Sequence, residues 1–174
     1  TALATLTHGH PAGSLTAGVL AVLVQALCAG ATLADGLARA KPLLCARAGH
    51  ESTLHLLQQA EALAASDAPP ALAVAQLGQG WIAEEALAIA VYCTLAAADV
   101  RSGIVMAVNH DGDSDSTGAI AGNLLGARDG INAIPGEWLK ELELRTVIDE
   151  VATDLYATGD SDNNDARMRE KYPS

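Results

Sequence analysis

Apolar positions along this chain recur with the three-to-four-residue spacing of helices and scarcely anywhere with the two-residue alternation of strands. Behind His8-Gly9-His10-Pro11, an apolar run predicts a helix from about Ala12 to Ala29, stopped by Gly30. A second runs from Leu33 to about Ala46, through Pro42 and before Gly49. Both carry apolar residues on more than one face, the pattern of buried helices. Leu54, Leu56, Leu57, Ala60 and Leu63 mark an amphipathic helix, and Ser66-Asp67-Ala68-Pro69-Pro70 ends it, with the proline pair read as a linker. A glycine loop, Leu77-Gly78-Gln79-Gly80, then leads into a strongly apolar helix whose first turn holds Glu84 and Glu85. Acids there complement the helix dipole, so both are expected on the surface.

A short helix over Val100 to Val108 leads to an acidic segment, and another follows from Ser116 to about Ala127. In it Gly118, Gly122 and Gly126 are four apart and would let a neighbouring helix come close. Pro135 is placed at a first helical position before Glu137-Trp138-Leu139. A last helix runs from about Arg145 to Tyr156, and the sequence turns polar beyond Thr158. The pattern therefore predicts an all-α unit, drawn as one domain over 1–158 with a polar tail over 159–174.

Composition narrows the class. In 174 residues, half are hydrophobic, only 3% are aromatic, and phenylalanine is absent; mean hydropathy is +0.21. That amounts to one alanine- and leucine-rich globular unit. A net charge of -11 argues against a basic face for nucleic acid or an anionic membrane. The longest unbroken apolar stretches, Ala17 to Val24 and Ala86 to Leu95, are about ten residues, short of the roughly 20 that span a bilayer, so no transmembrane segment is expected. Cys28, Cys45 and Cys93 all lie inside apolar helical patterns and fit neither a disulfide framework nor a zinc site, which predicts free thiols and a reducing, cytoplasmic setting. The start, Thr1-Ala2-Leu3-Ala4, has no initiator methionine or leader pattern and looks like the interior of a longer protein.

The richest chemistry lies in Asn109-His110-Asp111-Gly112-Asp113-Ser114-Asp115-Ser116-Thr117-Gly118, with three carboxylates at alternate positions among hydroxyls. Oxygen donors of this kind suit Mg²⁺, Mn²⁺ or Ca²⁺. A calcium loop of the EF-hand type fails, because Ser116 stands where its turn glycine belongs and Gly122 where its bidentate glutamate belongs. Helix capping by Ser114, Asp115 or Ser116 remains open beside the metal reading, although one such residue suffices for a cap.

The run Gly112-Asp113-Ser114-Asp115-Ser116-Thr117-Gly118-Ala119-Ile120-Ala121-Gly122, with Leu125-Gly126-Ala127 and Gly130, resembles the carboxy-terminal signature of the ADP-ribosylglycohydrolases, which include the dinitrogenase reductase-activating glycohydrolases. Thr7-His8-Gly9-His10-Pro11, Leu77 to Leu87, and Ile134-Pro135-Gly136-Glu137-Trp138-Leu139 fall in the family's order. The resemblance implies a multi-helix orthogonal bundle around a cleft with two divalent ions, usually Mg²⁺ or Mn²⁺, and the release of ADP-ribose from a modified side chain, arginine first. It makes Asp113, Asp115 and Ser116 metal ligands, with His110 and Asp111 behind them. It places His8, His10, Gly80 and Trp81 at the substrate. The family's amino-terminal metal motif, a Thr-Asp-Asp type run, and its nearby acidic residue have no match in these residues, so the chain resembles a carboxy-terminal portion. The catalytic acid or base is then expected in the missing half.

Plainer alternatives stand beside these assignments. His8 and His10 also suit a His-x-His metal pair or a polar turn. Trp81 suits the core as well as a cleft, and Trp138 suits packing. Asp160-Ser161-Asp162-Asn163-Asn164-Asp165 is oxygen-rich but fits a solvated tail. Partners are expected to be an ADP-ribosylated protein or an ADP-ribose-like small molecule. Self-association, or association with a missing segment, would cover apolar surface left bare by the absent helices. A non-catalytic homologue of the crystallin type is the alternative to a metal-dependent hydrolase.

Overall fold

A computed structural model describes residues 2–158 and 171–172. Among them the chain forms nine α-helices and no strand: α1 (Pro11–Cys28), α2 (Leu33–Cys45), α3 (Glu51–Ala64), α4 (Pro70–Leu77), α5 (Ala83–Ala96), α6 (Val100–Val108), α7 (Ser114–Asp129), α8 (Gly136–Glu141) and α9 (Arg145–Thr158). Single 3₁₀ turns cover Ala4–Leu6 and Ile131–Ala133. The chain divides into two units, residues 1–134 and 135–174. Asp160 to Asp165 lie outside the described residues.

In the first unit α5 is the central element. Every residue from Ala86 to Thr94 is buried, as expected of a helix that is apolar all round. It packs on α3 and α7 most extensively and also on α1, α4 and α6. Its alanines allow these close approaches, and Leu87, Ile89, Val91 and Tyr92 fill the spaces between neighbours. Local signals set the helix starts. His10 caps α1 by accepting the Ala12 N–H at 3.3 Å, with Pro11 next to it. Capping boxes start α2 (Thr32 with Asp35) and α6 (Asp99 with Ser102).

The structure departs from the pattern in four places. The proline pair starts a helix instead of linking two: Pro70 is the first residue of α4, where its missing N–H costs nothing. Pro135, expected inside a helix, is the residue before α8. The glycine stripe of α7 is a close contact only at Gly118, where an added Cβ would sit 2.6 Å from Val108 Cγ1; at Gly126 it would meet nothing within 4 Å. Only Cys93 is packed as a small hydrophobe, whereas Cys28 and Cys45 are the exposed last residues of their helices.

Helix α1 is also longer than its unbroken apolar run. At 18 residues and a hydropathy of 1.7 it is long and apolar enough to cross a membrane by length and composition alone. Its polar residues, Ser14, Thr16 and Gln25, are uncharged, and 39% of it is buried inside the fold, packed on α2, α5 and α7. In the second unit, Asp154 of α9 is buried beneath Lys171 and Tyr172, accepting the Tyr172 hydroxyl at 2.9 Å and the Lys171 ammonium at 2.5 Å.

Candidate functional site

The acidic segment joins α6 to α7, and its centre is Thr117, fully buried in the first turn of α7. The Thr117 hydroxyl donates to the Ala107 carbonyl at 2.6 Å and lies 3.0 Å from the Asp113 carbonyl. It also meets His110 Nε2 at 2.9 Å. His110 Nδ1 accepts the Gly112 N–H at 3.1 Å, which leaves the ring proton on Nε2 to be donated to Thr117. The last turn of α6 and the first of α7 are thus tied through one hydroxyl.

The glycine loop before α5 locks onto this segment. The Gln79 carbonyl accepts the Asp113 N–H at 2.7 Å. Gly112 lies flat against the same carbonyl, where a Cβ would stand 1.8 Å from the oxygen. Gly80, with φ of 81°, packs on Thr117, leaving 2.9 Å between a Cβ there and Thr117 Cγ2. The loop is held in turn by Glu85, whose Oε2 accepts the N–H groups of Gln79 and Gly80 at 3.0 Å each.

Asp113 is the residue before α7. The Asp115 side chain, then the Ser116 hydroxyl and the Ser116 N–H, hold its carboxyl below the usual carboxylate range. Asp113 and Ser116 are half-buried, and Asp115 is exposed. Asp111 is exposed as well and borders, with His110 and Gly112, a hollow of about 270 Å³ beside Gly78 and Gln79. Among the described residues, no three His, Cys, Asp or Glu side chains gather into a cluster able to hold an ion by themselves.

A larger cavity of about 490 Å³ opens beyond the glycine loop, lined by His8, His10, Gly13, Ile82, Ala83 and Glu84 among others. The His8 ring meets the Thr7 hydroxyl at 2.8 Å, and Gly13 makes room for its Cβ. Glu84 is 9% exposed and accepts the Ser52 hydroxyl at 3.2 Å. Neither glutamate of α5 is therefore the free surface acid expected from the helix dipole. The first is buried at a cavity wall, and the second is bonded to the loop. Trp81 is 67% exposed, which removes it from the core; its indole N–H donates to Gln79 Oε1 at 3.2 Å. Trp138, in the second unit, is half-buried.

The profile of the ADP-ribosylglycohydrolases matches residues 1–165. This chain belongs to the ADP-ribosylglycohydrolase family. An uncharacterized protein of Archaeoglobus fulgidus is 37% identical over 91 residues, 52% of this chain and 29% of that protein. The ADP-ribosyl-[dinitrogen reductase] glycohydrolase of Rhodospirillum rubrum is 44% identical over 45 residues, 26% of this chain and 15% of that protein. The matched segments thus span less than a third of the length of either relative. No solved structure matches the chain.

In this member of the family, the glycine loop and the acidic segment make one interlocked piece that carries Gly80, His110, Asp113, Asp115 and Ser116. His8 and His10 line the separate wall at the start of α1. Four participants were not among the site residues expected from the sequence: Thr117, the Gln79 carbonyl, and Glu84 and Glu85, which were expected only as surface acids. Gly112 and Gly80 were the available signal, since a glycine beside an acidic motif often marks where another backbone comes close.

Proposed function

We propose that this chain supplies one wall of a dinuclear metal site in a hydrolase that releases ADP-ribose from a modified side chain, with arginine as the first candidate. The observation that carries the reading is the grouping of oxygens at the start of α7: the Asp113 carboxyl lies beside the Asp115 side chain and the Ser116 hydroxyl. Adjacent carboxylates repel unless a proton or cation lies between them. Hard oxygen donors of this kind fit Mg²⁺ or Mn²⁺. Three protein oxygens fill only part of a six-coordinate shell, so the remaining ligands come from water and from a segment outside this chain.

A divalent ion held by Asp113, Asp115 and Ser116 would orient ribose hydroxyls and acidify a bound water for attack at the anomeric carbon. The chain's own residues prepare that place. Thr117 and His110 hold the two helix ends together, Gln79 anchors Asp113, and the cavity at His8, His10 and Glu84 offers hydrogen-bonding groups to a ligand. Glu84 brings a carboxylate that one serine hydroxyl leaves partly unoccupied, a partner for a donor-rich group such as guanidinium. The free thiols fit a reducing, cytoplasmic setting. The incomplete burial of α1 supports a further contact, with a second copy or with the completing segment.

The test is ADP-ribose release from ADP-ribosyl-arginine with Mg²⁺ or Mn²⁺, comparing this chain with one extended upstream in its own reading frame. Release by the longer chain, abolished by Asp115→Asn, is the expected result. Equal inactivity of both chains, or full activity of the Asp115→Asn variant, refutes the reading. Light scattering of this chain reports association, and a monodisperse monomer overturns that part.

A further inference from the structure

We propose that Glu85 is the positioning residue of the acidic segment: it touches no ligand, but it fixes the Gln79 peptide against which the Asp113 to Ser116 oxygens are set. The inference rests on the metal-site reading above and extends it to a residue outside the signature run.

The Gln79–Gly80 peptide is held from both sides. Its Gly80 N–H donates to Glu85 Oε2 at 3.0 Å, and the preceding Gln79 N–H donates to the same oxygen at 3.0 Å. Its Gln79 carbonyl accepts the Asp113 N–H at 2.7 Å. The fit leaves no slack at either contact. Gly78, with φ of 116°, wraps the Glu85 carboxyl so closely that a Cβ would lie 2.4 Å from its Cδ. Gly112 meets the Gln79 oxygen with even less room. Two glycines and one carboxylate thus grip the loop, and Gly80 completes the grip by resting on Thr117. A loop this rich in glycine has many conformations when free, and a charged acceptor taking two N–H groups selects one of them.

A general electrostatic role for an acid at a helix start makes a different demand. The helix dipole responds to charge near the first turn and tolerates aspartate as well as glutamate. The clamp requires the reach of the longer side chain and an acceptor oxygen, and a glutamine carbonyl provides both. Three variants therefore separate the two roles: Glu85→Gln keeps reach and acceptor, Glu85→Asp keeps charge alone, and Glu85→Ala keeps neither.

The experiment measures Mn²⁺ affinity by electron paramagnetic resonance titration, and amide hydrogen exchange at Gly80 and Asp113 without metal. Expected is near wild-type affinity for Glu85→Gln and about tenfold weaker binding for Glu85→Asp and Glu85→Ala, the scale of losing a group that orients a ligand. Exchange at the Asp113 N–H should accelerate in the same two variants and stay slow in Glu85→Gln. If Glu85→Ala does not fold, the glutamine and aspartate variants still decide the matter. Aspartate matching wild type while glutamine falls, or Asp113 exchange equal in all folded variants, overturns the proposal. Failure of the wild-type chain to bind Mn²⁺ refutes the metal reading instead, and the exchange data continue to test the clamp.

Discussion

Replacing Thr117 by valine exchanges a hydroxyl for a methyl of nearly the same shape at a position with no solvent exposure. Packing is conserved, so the change isolates the hydrogen bonds. The Ala107 carbonyl loses a donor at 2.6 Å, and His110 Nε2–H loses an acceptor at 2.9 Å. A buried group left unpaired costs about 1–3 kcal/mol. Because His110 is only half-buried, the sum comes to about 2–4 kcal/mol. For a chain of this size that corresponds to a drop of about 5–15 °C in Tm. The control is Thr117→Ser, which keeps the hydroxyl and removes only Cγ2, at a cost of about 1 kcal/mol. Thermal unfolding followed by far-UV circular dichroism, with urea titration as a second measure, should rank wild type above serine and serine above valine. Valine as stable as wild type, or more stable than serine, would show that the hydroxyl is not what joins α6 to α7.

Other expectations follow from burial and charge. Burial pushes the Cys93 thiol up to about 12, so alkylation of the native protein near pH 8 should label Cys28 and Cys45 but spare Cys93 until denaturant is added, as read by mass spectrometry. Asp35 is held below the usual carboxylate range by the Thr32 hydroxyl and N–H, and Asp99 by the N–H and hydroxyl of Ser102. A depressed folded-state value means their stabilisation is present at neutral pH, above the unfolded value of about 3.9, and is lost as acid protonates them through the folded value. The stability gap between wild type and Asp35→Asn or Asp99→Asn in urea unfolding should therefore close as pH falls below about 4; a constant gap contradicts the assignment. Leu23→Ala, at a site of no exposure between α1 and α2, should cost about 2–5 kcal/mol. Lys41→Met, which breaks the part-exposed pair with Glu61, should change stability by less than about 1 kcal/mol.

Local signals carried much of the helical plan. Helix α6 begins and ends where the pattern places it, because Asp99 and Ser102 are sequence neighbours that form a capping box without help from the rest of the fold. Helix α4 was hidden because a proline pair suits both a break and a helix start, and only the packing of Ala73, Val74 and Leu77 decides between them. The acidic run was legible as a set of oxygen donors, since its residues are adjacent. Its support was not, because Gln79 and Gly112 are distant in sequence and meet only in the folded chain. The buried place of Glu84 was equally hidden: two acids in a first turn carry the same dipole signal whether the turn faces water or a cavity wall.

The contact between Gly112 and the Gln79 carbonyl has a consequence for how such chains can diverge. A single methyl at position 112 has nowhere to go, and the loop facing it cannot retreat without releasing both Asp113 and Glu85. Drift at position 112 is therefore closed to one-step substitution. A descendant that carries a side chain there must have rebuilt the segment from Gly78 to Gly80 in the same lineage, so the two stretches should change together or not at all.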